Sequence, residues 1–284
     1  MGEERLRVAT CQFPVCGDPQ QNGRYMRNFM RKAAAGGADV VHFSEAALSG
    51  YGGWDVSDFG GYPWNVLRKE TQAVQTLAKE LGMWVILGSA HYVDPNEKPT
   101  NCLYLIDRSG QIVDRYDKSM LTGGDEEHYT GGDHLVTLTL KGIPCGLLIC
   151  YDSCFPEMYN AYRHMGVQFM FHSFYNARFD GPNILDEFMP AQIQCRAADN
   201  VMWVAASNSC ARHSCWATHF VRPDGSVAGQ LKRHVAGILY HDFPDATLKG
   251  WIHNNKMMKL APDEVLHNGT PSGHPRVQDR RSLP

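Results

Sequence analysis

An α/β fold, with two mixed β-sheets held between pairs of helices, is predicted by three observations. Helix-period and strand-period segments alternate in two sets. A strand-turn-strand unit accompanies each set, so part of the pairing must be antiparallel. The apolar content, 43% of 284 residues, is enough for one large core or two small ones.

The first set opens with residues 6–13, alternating and β-rich. Residues 20–35 place Tyr25, Phe29 and Ala33 on one face of a helix, and Gly36-Gly37 stops it. Residues 40–43 read as a short buried strand ending in Ser44 and Glu45. A Gly- and Trp-rich loop over 50–62 follows, then a helix marked by Leu67, Val74, Leu77 and Leu81 and closed by Gly82. Residues 83–93 form the next strand, and 102–106 and 112–116 a hairpin around Asp107-Arg108-Ser109-Gly110. The second set has strands at 135–140 and 143–149, a helix at 156–164, a strand at 167–172, a helix at about 184–198 and a strand at 201–207. It has its own hairpin, residues 218–221 and 227 onward around Arg222-Pro223-Asp224-Gly225, which hints at an internal repeat; residues 235–243 close the pattern. No Pro/Gly/Ser-rich or charged linker interrupts this run, so residues 1–245 are expected to be one domain. Residues 246–284 are polar and Pro-containing and read as a C-terminal extension or arm, a candidate for an oligomer interface.

With 27 Lys and Arg against 30 Asp and Glu, the net charge is -3. Nothing in that balance favours nucleic acid or an anionic membrane, and a small neutral or polar substrate is the better expectation. No apolar stretch approaches the roughly 18 residues of a membrane span. Glu3 and Glu4 precede Arg5 where a signal peptide would be basic then apolar, and Leu6 stands where a myristoylation motif wants Ser or Thr. A cytoplasmic location is expected. Most of the nine cysteines sit in apolar contexts, as Cys11, Cys102 and Cys145 do. Neither Cys145, Cys150 and Cys154 nor Cys210, His213 and Cys215 matches a zinc-site spacing, so no metal is expected.

Cys150 is different. It ends the apolar run 143–149 and is followed by Tyr151-Asp152 and the helix-start signal Phe155-Pro156-Glu157. A thiol where a buried strand turns towards a helix is placed like a nucleophile, because backbone N–H groups converge there. Taken alone, such a cysteine is more often a packed core residue, a strand-end Glu45 a surface carboxylate, and Lys118 a solvated hairpin lysine.

Three segments reverse those readings jointly. Phe43-Ser44-Glu45-Ala46-Ala47-Leu48-Ser49-Gly50-Tyr51, Tyr116-Asp117-Lys118-Ser119-Met120-Leu121 and Gly146-Leu147-Leu148-Ile149-Cys150-Tyr151-Asp152 resemble, in order and spacing, the three motifs of the carbon-nitrogen hydrolase (nitrilase) superfamily. The resemblance covers roughly residues 5–245. It implies an αββα sandwich, a catalytic triad of Glu45, Lys118 and Cys150, no cofactor, and a homodimer or higher homo-oligomer. Nitrile-cleaving members tend to follow the cysteine with Trp-Glu; Tyr151-Asp152 here points to the amidase-like branch and a small linear amide. N-carbamoyl compounds are the nearest alternative substrates, and a non-catalytic interaction module of the same fold is the alternative of another class. The family's second glutamate, in the loop after the lysine, maps to Glu126, with Glu127 the neighbouring candidate and Asp125 left open by ungapped counting. Two departures stand out: Gly131 replaces a usual proline, and Cys154 sits where many members carry an arginine. Pocket candidates are Tyr51, Trp54, Glu127, His172, Phe174, Tyr175 and Asn176; Arg196, Asp199 and Asn200 read as structural or interface residues.

The chemistry explains the residue types. Amide resonance resists direct attack by water, so hydrolysis is easier when split into attack by sulfur and later hydrolysis of a thioester. A thiol of pKa about 8.5 must pass its proton to a carboxylate of pKa about 4.3, uphill by roughly 4 units or about 6 kcal/mol. Burial of Glu45, with Lys118 and a helix amino terminus beside Cys150, is expected to narrow that gap. The backbone N–H of Tyr151, together with Lys118, is expected to face the oxyanion.

Overall fold

Strand β1 (Leu6–Gln12) sends alternate side chains into two cores: Leu6 and Val8 into one, Ala9 and Cys11 into the other. A strand buried on both faces needs a layer on each side. The computed structural model describes residues 5–92, 97–177 and 181–243, so the expected extension over 246–284 lies outside the described residues.

Helix α1 (Pro19–Ala35) begins with Pro in its first turn, and the Asp18 carboxylate caps it by accepting from the Gln20 N–H at 2.8 Å. After β2 (Val40–His42), α2 (Trp64–Leu81) ends at Gly82, whose φ of 61° is the left-handed cap expected of a helix-terminating glycine. Met26, Phe29 and Ala33 of α1 and Leu67, Val74 and Leu77 of α2 pack with Ala9, Cys11 and Val41, covering the outer face of one sheet. The chain continues through β3 (Trp84–His91), β4 (Thr100–Ile106), β5 (Ile112–Asp117), α3 (Gly123–His128), β6 (Thr137–Leu140) and β7 (Ile143–Ile149). A five-residue 3-10 turn (Cys150–Cys154) leads to α4 (Pro156–His164), β8 (Phe169–Ser173) and α5 (Leu185–Asn200). Strands β9 (Trp203–Ser207), β10 (His219–Val221), β11 (Val227–Gln230) and β12 (Gly237–Phe243) complete it.

Among the described residues two six-stranded sheets result, in the orders β12-β1-β2-β3-β4-β5 and β11-β10-β9-β8-β7-β6. Each holds a parallel triplet, β1-β2-β3 or β7-β8-β9, extended by antiparallel strands on both flanks. The repeat hinted at by the two hairpins is therefore present in the topology. Between the sheets, Leu6, Val8, Val40, Ile86 and Leu103 of the first meet the apolar residues of the second, while Met158, Tyr159, Met189 and Ile193 of α4 and α5 join the same core. This is the αββα sandwich.

Helix α3 was absent from the sequence pattern, since a six-residue helix offers too short a period to register. Strand β12 crosses back to pair with β1, in register from Leu6–Phe243 to Gln12–Gly237. Gly88 on β3 governs the exit from β2. A Cβ there would lie 1.9 Å from the Ser44 carbonyl oxygen, so only glycine lets the chain leaving β2 pass directly over β3. That cramped crossing, with Ala46 at φ 51° and the Leu48 N–H donating to the Gly88 carbonyl at 2.9 Å, projects Glu45 inward.

Candidate active site

Glu45 is completely buried, and both of its oxygens are satisfied. Oε1 accepts from Lys118 Nζ and from Asn101 Nδ2, each at 2.8 Å, and Oε2 accepts from the Tyr175 backbone N–H at 2.7 Å. Four segments thus converge on one carboxylate: the turn after β2, strand β4, the residue after β5, and the loop after β8.

Lys118 is also fully buried. Its backbone is fixed on both sides, its N–H donating to the Asn101 carbonyl and its own carbonyl accepting from the Gly132 N–H, both at 2.8 Å. A Cβ on Gly132 would lie 2.3 Å from the Asp117 carbonyl oxygen, so the loop carrying Gly131 is pinned by close backbone approach despite lacking proline. Burial alone would lower the ammonium pKa. The Glu45 carboxylate foremost, then Tyr51, Cys150 and Asp125, outweigh it and hold Lys118 well above its ordinary value.

The second carboxylate against Lys118 is Asp125, at 2.8 Å from Oδ2, and not Glu126. Both Glu126 and Glu127 are exposed, and the Glu126 backbone carbonyl accepts from Lys98 Nζ at 2.6 Å. The physical reason is a capping box. Asp125 is the third residue of α3; its N–H donates to Thr122 Oγ1 at 3.1 Å while Oδ2 accepts the Thr122 N–H at 2.9 Å, which turns the carboxylate inward. The next residue of a helix faces elsewhere. Tyr51 O–H donates to Asp125 Oδ1. Against the burial that would raise it, Lys118 and these hydrogen bonds keep the Asp125 carboxyl below its usual value. The signal was in the sequence, because Thr122-Gly123-Gly124-Asp125 is itself a capping-box pattern.

Cys150 has φ 44°, a left-handed conformation that costs a non-glycine residue about 1–3 kcal/mol and aims its side chain off the strand axis. Asn176 Nδ2 lies 3.3 Å from its sulfur. The 3-10 turn after it is held by Asp152, whose Oδ2 accepts from the Ile149 N–H at 2.8 Å and the Tyr116 O–H at 2.7 Å, and whose Oδ1 accepts from the Met120 N–H at 2.9 Å. Because Tyr116 and Met120 flank Lys118 and Ile149 precedes Cys150, this one carboxylate ties the lysine segment to the cysteine segment. Burial pushes its pKa up to about 6. Helix α5 braces the far side of the turn, Arg196 Nε donating to the Ser153 carbonyl at 2.9 Å and Ser153 Oγ to Gln192 Oε1 at 2.7 Å.

A 3-10 turn starts at Cys150, and α4 begins at Pro156 as its start signal predicts. One expectation about the thiol needs correction. Burial first, and the Glu45 carboxylate second, push the Cys150 pKa up against the lowering by Lys118, where the ammonium and a helix amino terminus were expected to bring it down. Tyr151 is the second residue of the turn, where a backbone N–H has no acceptor within the turn itself.

The pocket candidates separate. Tyr51, Trp54, Glu127 and Tyr175 line a cavity of about 370 Å³ together with Thr122 and His128. Tyr51 and Tyr175 stack at 4.8 Å between ring centres, and Asp55 links them by accepting from the Tyr51 N–H at 3.0 Å and the Tyr175 O–H at 2.8 Å. His172, Phe174 and Asn176 do not line it. His172 is a core residue of β8, its Nδ1 2.7 Å from the Tyr159 hydroxyl and its ring stacked on Phe174 at 4.2 Å, and burial holds its pKa well below the usual value. A strand buried on both faces carries its last side chains inside as well, which placement at a strand end does not reveal. Asn101 and Trp216 escaped sequence reasoning, each being an ordinary residue until the fold brings it to the site; Asp125 was left open there, and Asp152 entered only as part of a motif. Among the described residues no group of three or more His, Cys, Asp or Glu side chains is arranged to hold a metal ion.

A family model, that of the carbon-nitrogen hydrolases, matches residues 7–253. The chain is 29% identical over 204 residues to a 2-oxoglutaramate amidase of Bacillus subtilis, covering 71% of this chain and 75% of that protein. It is 25% identical over 251 residues to the omega-amidase NIT2 of Homo sapiens, covering 84% and 88%. Among solved structures, an amidase from Nesterenkonia sp. superposes with a TM-score of 0.76 at 22% identity, over 90% of this chain and 95% of that one, a likeness of fold.

Proposed function

The chain belongs to the carbon-nitrogen hydrolase family, and from that premise we propose that it hydrolyses the C–N bond of a small linear amide through a thioester on Cys150, releasing ammonia or an amine. The observation that carries this reading is the Lys118 ammonium, fully buried between the Glu45 and Asp125 carboxylates and contributing to the field at Cys150. Desolvating three charges is costly, and a fold with no use for them would do better with apolar side chains. The amidase names of its relatives support the reaction class.

The thiol proton passes to Glu45 as the sulfur–carbon bond forms. The carbonyl oxygen becomes an oxyanion facing the Tyr151 N–H and Lys118. Glu45 and Asp125 take two of the three ammonium donors, leaving one for that oxygen. Glu45 then protonates the leaving nitrogen, the C–N bond breaks, and the thioester remains. Water gives a proton to Glu45 as it attacks the thioester, and collapse of the second tetrahedral species returns a proton to sulfur and frees the acid. Asp125 holds Lys118 in place throughout.

Ammonia release from short aliphatic amides, the matching nitriles and N-carbamoyl amines tests this. Amides are expected to turn over and nitriles not, with an acyl adduct on Cys150 in the intact mass after acid quench. Failure of every amide sinks the reading, and faster release from the carbamoyl compounds replaces the substrate class.

Assembly is the remaining proposal. On α5 and its approach, Ile184 is 74% and Phe188 45% exposed, one helical turn apart, and Met165 after α4 is 51% exposed. A helix apolar on both faces wants cover on both. We expect a homodimer or higher homo-oligomer through this face; a light-scattering mass equal to one chain of 31.8 kDa would refute it.

A further inference from the structure

We propose that Trp216 is a positioning residue that fixes the side-chain amide of Asn176 with its NH2 towards the Cys150 sulfur, so that Asn176 Nδ2 donates to the thiolate as it forms. The inference rests on Cys150 being the nucleophile and adds a donor and its orienting group to that reading.

An asparagine amide has an accepting end and a donating end of nearly the same shape, and only its partners decide which way it lies. Trp216 Nε1 is 2.8 Å from Asn176 Oδ1. An indole N–H can only donate, so the end it meets must be oxygen, and the end 3.3 Å from Cys150 Sγ must be the NH2. Turned the other way, Asn176 would offer an oxygen to the sulfur, favouring the neutral thiol and opposing the anion. The indole therefore selects the protonation state that Asn176 supports.

The assembly around this pair is closed. The Asn176 N–H donates to Asn208 Oδ1 at 3.0 Å, Asn208 Nδ2 donates to the Trp216 carbonyl at 2.9 Å, and the Asn176 carbonyl accepts from the Cys215 N–H at 2.8 Å. The indole meets Phe174 and His219 edge to face, with ring centres 5.0 and 5.1 Å away. Asn176 and Trp216 are each 3% exposed, so water does not compete for either end of the amide. A neutral donor suits this site. It stabilises negative sulfur without placing a second cation beside Lys118.

The test uses the full chain and reads two quantities: the pH dependence of Cys150 alkylation by iodoacetamide, located by peptide mass, and kcat and KM on the best amide. Trp216→Phe keeps the ring and removes the donor. It is expected to move the alkylation midpoint up by about one pH unit and to lower kcat about tenfold, the scale of one hydrogen bond to a charged group, with KM little changed. Asn176→Ala should do the same, and the double variant should lose no more than Asn176→Ala alone. An unmoved midpoint in Trp216→Phe, or additive losses in the double variant, overturns the proposal. Should Trp216→Phe not fold, Asn176→Asp decides: with one oxygen held by the indole and the other turned to the sulfur, its midpoint must lie above that of Asn176→Ala, and a midpoint at or below it overturns the proposal. A wild-type chain that alkylates normally but releases no ammonia defeats the hydrolase reading and leaves this one standing.

Discussion

Cys150→Ala is expected to reduce ammonia release by a factor on the order of 10⁴ or more while leaving the fold and amide binding in place. Removing the sulfur removes the covalent step itself, and what remains is a cavity with donors that can hold an amide but nothing to attack it. The structural effect should be small. The sulfur meets only the neutral donors Asn176 Nδ2 and the Tyr175 backbone N–H among the hydrogen bonds described for it, and alanine tolerates the backbone at φ 44° no worse than cysteine does. Thermal unfolding should therefore stay near wild type, and substrate protection of other thiols should persist. Residual activity within tenfold of wild type would mean that the nucleophile lies elsewhere.

Lys118→Met carries the largest expected stability effect. Methionine matches the length of the stem but leaves Glu45 and Asp125 buried without their cation, and breaking a buried pair in this way costs about 3–5 kcal/mol. Activity should fall at least about 10²-fold through loss of an oxyanion donor. The pH dependence supplies a second check with a definite sign. In the wild type the Asp125 carboxyl is held below its unfolded value, so its share of the stability is present above the unfolded pKa and is lost as pH falls through the folded one. Lys118 is held above its unfolded value, so its share is present below the unfolded pKa and is lost only as pH rises through the folded one. Without the ammonium, the burial that Lys118 offsets is left to raise the Asp125 carboxyl above its unfolded value. The variant should then lose stability as pH rises and be more stable at pH 5 than at pH 8, a range over which the Asp125 share in the wild type stays fully present. Denaturant midpoints of both proteins across that range decide it; a parallel pair of profiles would show that Lys118 does not govern this carboxylate.

How far the sequence reached depended on whether a property is local. Strand β7 and helix α4 fell where the apolar run and the Pro156 start signal put them, because burial on both faces and a proline in the first turn leave their marks on consecutive residues. Helix α3 left no period, yet its Thr122 and Asp125 carry a capping pattern that was legible and outranked by counting along the loop to Glu126. Glu45, Lys118 and Cys150 were found through their motifs, each an unremarkable residue by itself. What stayed hidden is non-local. Nothing near position 216 announces that its indole will meet Asn176, forty residues away, and nothing near His172 says that its strand will be covered on both sides. The thiol was misjudged for a related reason: the sequence shows which charges accompany Cys150 but not how completely water is removed from around it.

The doubled topology has a bearing on how the chain reaches its working state. Glu45 follows a strand of one sheet, Cys150 and the Tyr175 N–H follow strands of the other, and Lys118 stands on the segment that passes between them. Neither half owns a reactive group. Until the two have docked, the sulfur is an ordinary thiol and the carboxylate an ordinary acid, so a half-finished chain would not attack the amides of its surroundings, and in refolding the return of turnover would be the last event to be seen.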